Sequence, residues 1–152
     1  MYESSITYHR TPEERADQSL SWKRTDKAFF AAGACHILAF TFKGLHPDRN
    51  IKIIFIRAKS NGSKAAHVYV LDGEWAFDFN GWTKEKELLE VTESEHKKRH
   101  SPDWDYDRII IKEDLETFCK NNNHRLPTDF AHLPLERARN YIKQFSNTPP
   151  KS

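Results

Sequence analysis

A cysteine, a histidine and an aspartate stand in an order that could perform acyl transfer. Cys35 follows Gly33-Ala34, and a thiol placed after a small-residue turn at a helix N-terminus has its thiolate favoured by the exposed amides and the helix dipole. Cysteine is also the side chain most easily activated this way. His67 and Asp78 flank Asp72-Gly73, a dipeptide that strongly marks a two-residue hairpin loop. With Asp72 and Gly73 as the loop, His67 stands opposite Asp78 and Tyr69 opposite Ala76, with Cβ atoms roughly 5 Å apart. The other face then carries Val68 with Phe77, Val70 with Trp75 and Ala66 with Phe79. That face is wholly apolar and belongs in the core, because side chains alternate along strands. A carboxylate beside an imidazole fixes its tautomer and stabilises the imidazolium, which is what a general base next to a nucleophile requires. Cys35, His67 and Asp78 are therefore the candidate nucleophile, base and orienter.

The elements that must position them are legible in outline. Thr11-Pro12-Glu13-Glu14 reads as an N-cap, a proline at N1 and an acid at N3 of a short surface helix. Apolar residues recur at helical spacing over 26–43, and Gly44 with Pro47 gives a stop signal, so a central helix is expected there. Residues 51–56 form a β-branched run apolar on both faces, as in an interior strand, ending in a loop at Ser60-Asn61-Gly62-Ser63. Residues 66–71 and 74–79 are the two hairpin strands. Thr83 can cap a polar helix to about residue 97, followed by a loop over 97–103. A further strand over 108–112 and helices over 113–120 and 133–145 complete the reading. Residues 1–10 and 147–152 are expected to be flexible tails of one catalytic domain. The order predicts an α+β fold, with the nucleophile-bearing helix packed on an antiparallel sheet.

Other chemistry-bearing residues have simpler roles. Asn80 is a second candidate orienter, but the hairpin register sets it two residues beyond the partner of His67. His36 follows the nucleophile on a helix, where neighbours point about 100° apart, so it is expected at the site rim or in solvent. Tyr69 and Trp82 could line a cleft or fill the core, and Cys119 reads as a buried structural residue. His96 and His100 are four apart, yet Lys97-Lys98-Arg99 between them argues against a dication. Trp104-Asp105-Tyr106-Asp107 matches no metal loop. No cofactor or metal is called for.

Composition narrows the class. The 152 residues are 38% hydrophobic and 30% charged, enough for one packed core and too apolar for a disordered chain. Ten Phe, five Tyr and four Trp carry much of that core. A net charge of +2 gives no reason to expect nucleic acid as a partner. The most apolar stretch, 28–42, is too short to span a bilayer, so no membrane span is expected. Met1-Tyr2-Glu3-Ser4-Ser5 lacks the basic start and apolar run of a secretory signal. Two cysteines far apart suit a reducing compartment. The expected location is cytoplasmic, or exported without a cleavable signal peptide.

Gly33-Ala34-Cys35 heading a helix, His67 opening one strand and Asp78 late in the next resemble the core of the papain-like and transglutaminase-like cysteine enzymes. The resemblance covers roughly residues 28–82. It implies a Cys nucleophile on a helix against an antiparallel sheet, with Cys35, His67 and Asp78 at the family's catalytic positions. It implies a protease, deamidase or transglutaminase acting on an amide of a protein or peptide through a thioester. Two departures stand out: His36 occupies a position that papain-like enzymes usually fill with an aromatic, and the nearest upstream glutamine is Gln18, which leaves the second oxyanion donor unassigned. The transglutaminase-like branch, with strand-borne His and Asp, fits better than papain itself. The alternative reading is a non-catalytic protein-binding module that retains this fold and holds a partner through exposed aromatics and the basic stretch 97–100.

Overall fold

A computed structural model describes residues 1–59 and 65–151. The expected loop Ser60-Asn61-Gly62-Ser63 lies outside the described residues, as does the side chain of Ala66. From the N-terminus, a 3-10 turn (Ser5–Tyr8) precedes α1 (Pro12–Ala16), α2 (Gln18–Trp22), α3 (Asp26–Ala31) and α4 (Cys35–Leu45). Then come β1 (Lys52–Ala58), β2 (Ala65–Asp72), β3 (Trp75–Asp78), β4 (Gly81–Lys84), α5 (Glu85–Arg99), β5 (Tyr106–Ile111), α6 (Leu115–Asn122), a second 3-10 turn (Pro127–Asp129) and α7 (Pro134–Ile142). The fold is α+β, with five antiparallel strands in the order β4-β3-β2-β1-β5. Among the described residues no helix is long and apolar enough to cross a membrane.

Alternation along the central strands covers both faces of this sheet. Ile53 and Phe55 of β1 and Val68 and Val70 of β2 pack under α3, α4, α6 and α7, against Phe30, Leu38, Phe42, Phe118 and Tyr141. Ile54 and Ile56 of β1, with Tyr69 and Leu71 of β2, turn the other way and meet Leu88 of α5, Trp104 and Tyr2. The N-terminal residues, expected to be a tail, thus supply core: Tyr2, Ser4, Ser5 and Ile6 are all buried.

Beyond shifts of a few residues at element ends, three differences from expectation have physical reasons. The helix predicted over 26–43 breaks into α3 and α4 at Gly33, whose φ of +101° no helix accommodates. The helical spacing of apolar residues persists on both sides because both pieces face one core. The hairpin loop is Gly73-Glu74 instead of Asp72-Gly73: Asp72 stays in the strand opposite Trp75, held by Arg49 Nη2 at 2.5 Å. Gly73 takes the first loop position with φ +62°, where a hairpin with a single positive φ wants glycine. This moves the register by two residues and so preserves every facing. Val68, Val70 and Phe77 are core as expected, whereas Trp75 is only half-buried, with Lys84 Nζ 5.6 Å over its ring. Finally, Thr83 is not a cap. It lies in β4 opposite Ala76, a four-residue strand too short to show a period, and α5 starts at Glu85 with no side-chain cap.

Two glycines with positive φ offer a paired test. A methyl at Gly73 meets open space, but one at Gly33 would lie 2.5 Å from Arg125 Nη2 and 3.1 Å from Arg10 Nε. Gly73→Ala should cost about 1 kcal/mol from backbone strain alone, and Gly33→Ala about 3 kcal/mol or more. Urea unfolding would measure both, and equal losses would show that the crowding at Gly33 is not real.

Candidate functional site

The backbone brings the three candidates to one end of the sheet. His67 lies near the start of β2 and Asp78 is the last residue of β3. With the register moved by two they are diagonal instead of opposed, a separation within reach of a long side chain. His67 Nε2 meets Asp78 Oδ2 at 2.8 Å, and both side chains are almost fully buried. Because the carboxylate only accepts, Nε2 carries the proton and donates. Nδ1 is buried without a hydrogen-bond partner among the described residues.

Asp78 is saturated. Oδ2 also accepts from Tyr2 Oη at 2.7 Å, and Oδ1 accepts the backbone N–H of Asn80 at 2.9 Å. The latter closes a turn in which the aspartate side chain pins its own backbone, fixing the carboxylate as the chain enters β4. Asn80 is not an orienter: its side chain donates to Glu3 O at 2.9 Å. Tyr2 was missed because nothing in a polar N-terminal segment marks one tyrosine for burial. Burial and the Asp78 carboxylate hold its phenol well above the ordinary value, so it remains a donor.

Cys35 is the first residue of α4, follows Ala34 at the N-cap and is half-buried. No side chain caps this helix, so its first N–H groups, that of Cys35 included, lack partners within the helix. α4 packs on the Val68 and Val70 face, whereas His67 and Asp78 lie on the Tyr69 face, so thiol and imidazole meet at the end of the sheet. The Cys35 sulfur lies close enough to act on the ring, short of a conventional hydrogen bond. Burial alone would favour neutral His67. The Asp78 hydrogen bond, the Cys35 sulfur and their charges outweigh it, and the ring is raised to about 9. An imidazolium is thus stable beside the sulfur at neutral pH.

Arg125, not singled out in the sequence, organises the approach to Cys35. Its Nη2 donates to Gly33 O at 2.9 Å, its Nη1 donates to Gln18 Oε1, and its guanidinium lies 4.1 Å over the Phe130 ring. Its carbonyl accepts from His36 Nε2 at 2.8 Å and from the Cys119 thiol at 3.4 Å. His36 is therefore buried structure, contrary to the rim position expected, and burial lowers it to about 3. Cys119 is buried as expected, its thiol raised to about 11 mainly by burial. Gln18, 17 positions before Cys35 in sequence, is tied through Arg125 to Gly33, beside Cys35.

The remaining candidates fall outside the site. Tyr69 is fully buried and donates to Glu85 Oε2 at 2.7 Å, so it lines no cleft. Trp82 donates to Ser146 O at 2.8 Å. It also lines a cavity of about 540 Å³ with Tyr2, Trp75 and Asn80, none of the three candidates among its walls. α5 continues through His96, which is buried and stacked on Trp104 with centroids 4.5 Å apart. Among the described residues no cluster of three or more His, Cys, Asp or Glu side chains could hold a metal. The chain matches no family model, no curated protein and no solved structure.

Two measurements probe the buried pair. Tyr2→Phe removes one donor from a buried carboxylate and should cost about 1.5–3 kcal/mol with the fold retained; a loss below 0.5 kcal/mol, about the level of a neutral surface change, would show that the bond contributes little. Because His67 is raised from 6.5 to about 9 in the folded state, its contribution is complete below pH 6.5 and is lost as pH climbs through 9. Urea stability should fall over that window by up to roughly 3 kcal/mol. Asp78→Asn should flatten the profile, and an unchanged profile would refute the linkage.

Proposed function

We propose that this protein is a cysteine-dependent hydrolase or acyl transferase acting on an amide, with Cys35 as nucleophile, His67 as acid and base, and Asp78 as orienter. The reading rests above all on the buried 2.8 Å bond between His67 Nε2 and Asp78 Oδ2, which leaves Nδ1 for a sulfur at the start of a helix. His36 is likewise bonded through one ring nitrogen only, so what distinguishes His67 is the Cys35 sulfur beside its ring. His67 is anchored at one nitrogen and poised at the other.

The chemistry follows from those positions. Cys35 Sγ attacks the amide carbonyl, and the developing oxyanion lies by the uncapped N–H of Cys35. His67 Nδ1–H protonates the departing nitrogen as the C–N bond breaks, leaving a thioester. Water or an amine then attacks the thioester, giving its proton back to Nδ1 as the C–S bond breaks and the sulfur leaves as thiolate beside the restored imidazolium. Asp78 keeps the proton of Nε2 in place throughout and stabilises the imidazolium. Protein or peptide amides are the substrate class, and the papain-like and transglutaminase-like enzymes, especially the latter branch, are the nearest architectural analogy. An α4-like helix carrying the thiol against strands carrying His and Asp supports that analogy.

The test is selective reactivity and its dependence on the triad. A thiol-directed electrophile such as iodoacetamide at pH 7 should label Cys35 far faster than buried Cys119, read by peptide mass spectrometry. His67→Ala should slow the labelling of Cys35. Asp78→Asn should slow turnover by up to ~10⁴-fold once a substrate is found, while the double variant His67→Ala/Asp78→Asn should be little worse than His67→Ala alone. Equal labelling of both cysteines, or Cys35 labelling indifferent to His67→Ala, would refute a poised nucleophile and favour a binding module.

A further inference from the structure

Arginine pairing is uneven across this molecule, and the exceptions converge on the nucleophile. Five arginines are half-buried among the described residues: Arg10, Arg24, Arg49, Arg125 and Arg137. Three of them have carboxylates: Arg24 with Glu14 at 3.5 Å, Arg49 with Asp72 at 2.5 Å and Arg137 with Asp26 at 2.7 Å. Arg10 and Arg125 form no ion pair among the described residues, and both lie against Gly33, two residues before Cys35. Removing a cation from water without a partner is unfavourable, and here two of them share one place. Arg125 is lowered to about 10, first by burial and next by Arg10.

The acids nearest to them are already engaged. Glu14 Oε1 accepts the N–H of Thr11 and its Oε2 meets Arg24. Asp129 Oδ2 accepts the N–H of Leu126. Arg10 is the more available of the two, its one hydrogen bond among the described residues being to Ser21 Oγ at 3.4 Å. Arg125 is held in place by Gly33, Gln18 and Phe130, so it presents a fixed guanidinium edge instead of a mobile one. Paired planar guanidiniums are the side chains best suited to a carboxylate.

We infer that Arg10 and Arg125 form a carboxylate-recognition pair, and that the amide attacked by Cys35 carries a carboxylate a few bonds from the scissile carbonyl, as an acidic side chain or a chain terminus would supply. This inference rests on Cys35 being the nucleophile. It gives the substrate class a charge and assigns specificity to two residues outside the triad. It also accounts for glycine at position 33, since any side chain there would occupy the space between the guanidiniums and the backbone they flank.

The test uses two alkylating probes of one shape and different charge, iodoacetylglycine and its methyl ester. Second-order rates of iodide displacement at Cys35 are read by intact-protein mass spectrometry at pH 7. Wild-type protein should prefer the acid over the ester by about tenfold or more, the scale of one charged hydrogen bond. The preference should shrink in 0.5 M NaCl. Arg10→Gln should bring it to within about threefold of unity, and Arg125→Lys should reduce it while keeping the charge, because a point charge cannot replace the fork. Circular dichroism checks that each variant folds. Equal rates for acid and ester in the wild type, or a preference untouched by Arg10→Gln, would overturn the recognition pair while leaving the nucleophile standing. Failure of both probes to alkylate Cys35 ahead of Cys119 would overturn the nucleophile and the pair together.

Discussion

A carboxylate buried at the end of a sheet is the constraint around which this fold is arranged. Asp78 is 3% exposed, and an unpaired buried charge would be among the most destabilising features a small domain could carry. It is tolerated because three donors converge on it: the Tyr2 phenol from the chain's beginning, the His67 imidazole from β2 and the Asn80 amide from the turn into β4. Only the last is local. The residues before the first 3-10 turn are buried here because Tyr2 completes this set, and the hairpin register matters because it keeps His67 on the same face.

The placement of Cys35 depends on a second arrangement, built from the other layer. A helix running unbroken from α3 into α4 would bury Cys35 mid-helix with its amide hydrogen-bonded. Gly33 prevents that by leaving helical geometry, and Arg125 secures the break by holding Gly33 O. Arg125 is itself fixed through its carbonyl by His36, the residue next to Cys35. The loop thus closes on itself: α4 supplies His36, His36 holds the segment at 125, and that segment holds the start of α4. This explains why a histidine sits buried and neutral where a rim residue would otherwise be expected.

Legibility in the sequence followed the range of the interactions. The β-branched run of β1, the alternation along β2, the capping box at Thr11 and Glu14, and the pairing of His67 with Asp78 were readable because each depends on residues close in sequence or joined by one turn. The hairpin was placed two residues out of register because Asp-Gly fits more than one turn, and Arg49, 23 residues away, decides which. Facing survived that error since a two-residue shift preserves it. Tyr2, Arg125 and the burial of His36 were illegible for a common reason: their partners lie 76, 92 and 89 residues distant, and no spacing rule reaches that far. The short strand β4 carried too few residues to show a period.

Burial also separates the two ends of the proposed catalytic group. The Asp78 end is closed by Tyr2, Phe79 and the sheet, so the proton on Nε2 is shielded from solvent and the ring's orientation is set before any substrate arrives. The Cys35 end is half-open, and what borders it is cationic. A domain that neutralises its half-buried arginines elsewhere, yet among the described residues leaves two without ion pairs beside Cys35, concentrates its unmet electrostatic demand beside the proposed nucleophile. Closure on the base side and demand on the nucleophile side are opposite uses of the same physics: a low-dielectric environment strengthens a charge interaction that is complete and penalises one that is not. The first holds the geometry of His67 and Asp78 rigid, and the second is the reason for proposing that an anion docks beside Cys35.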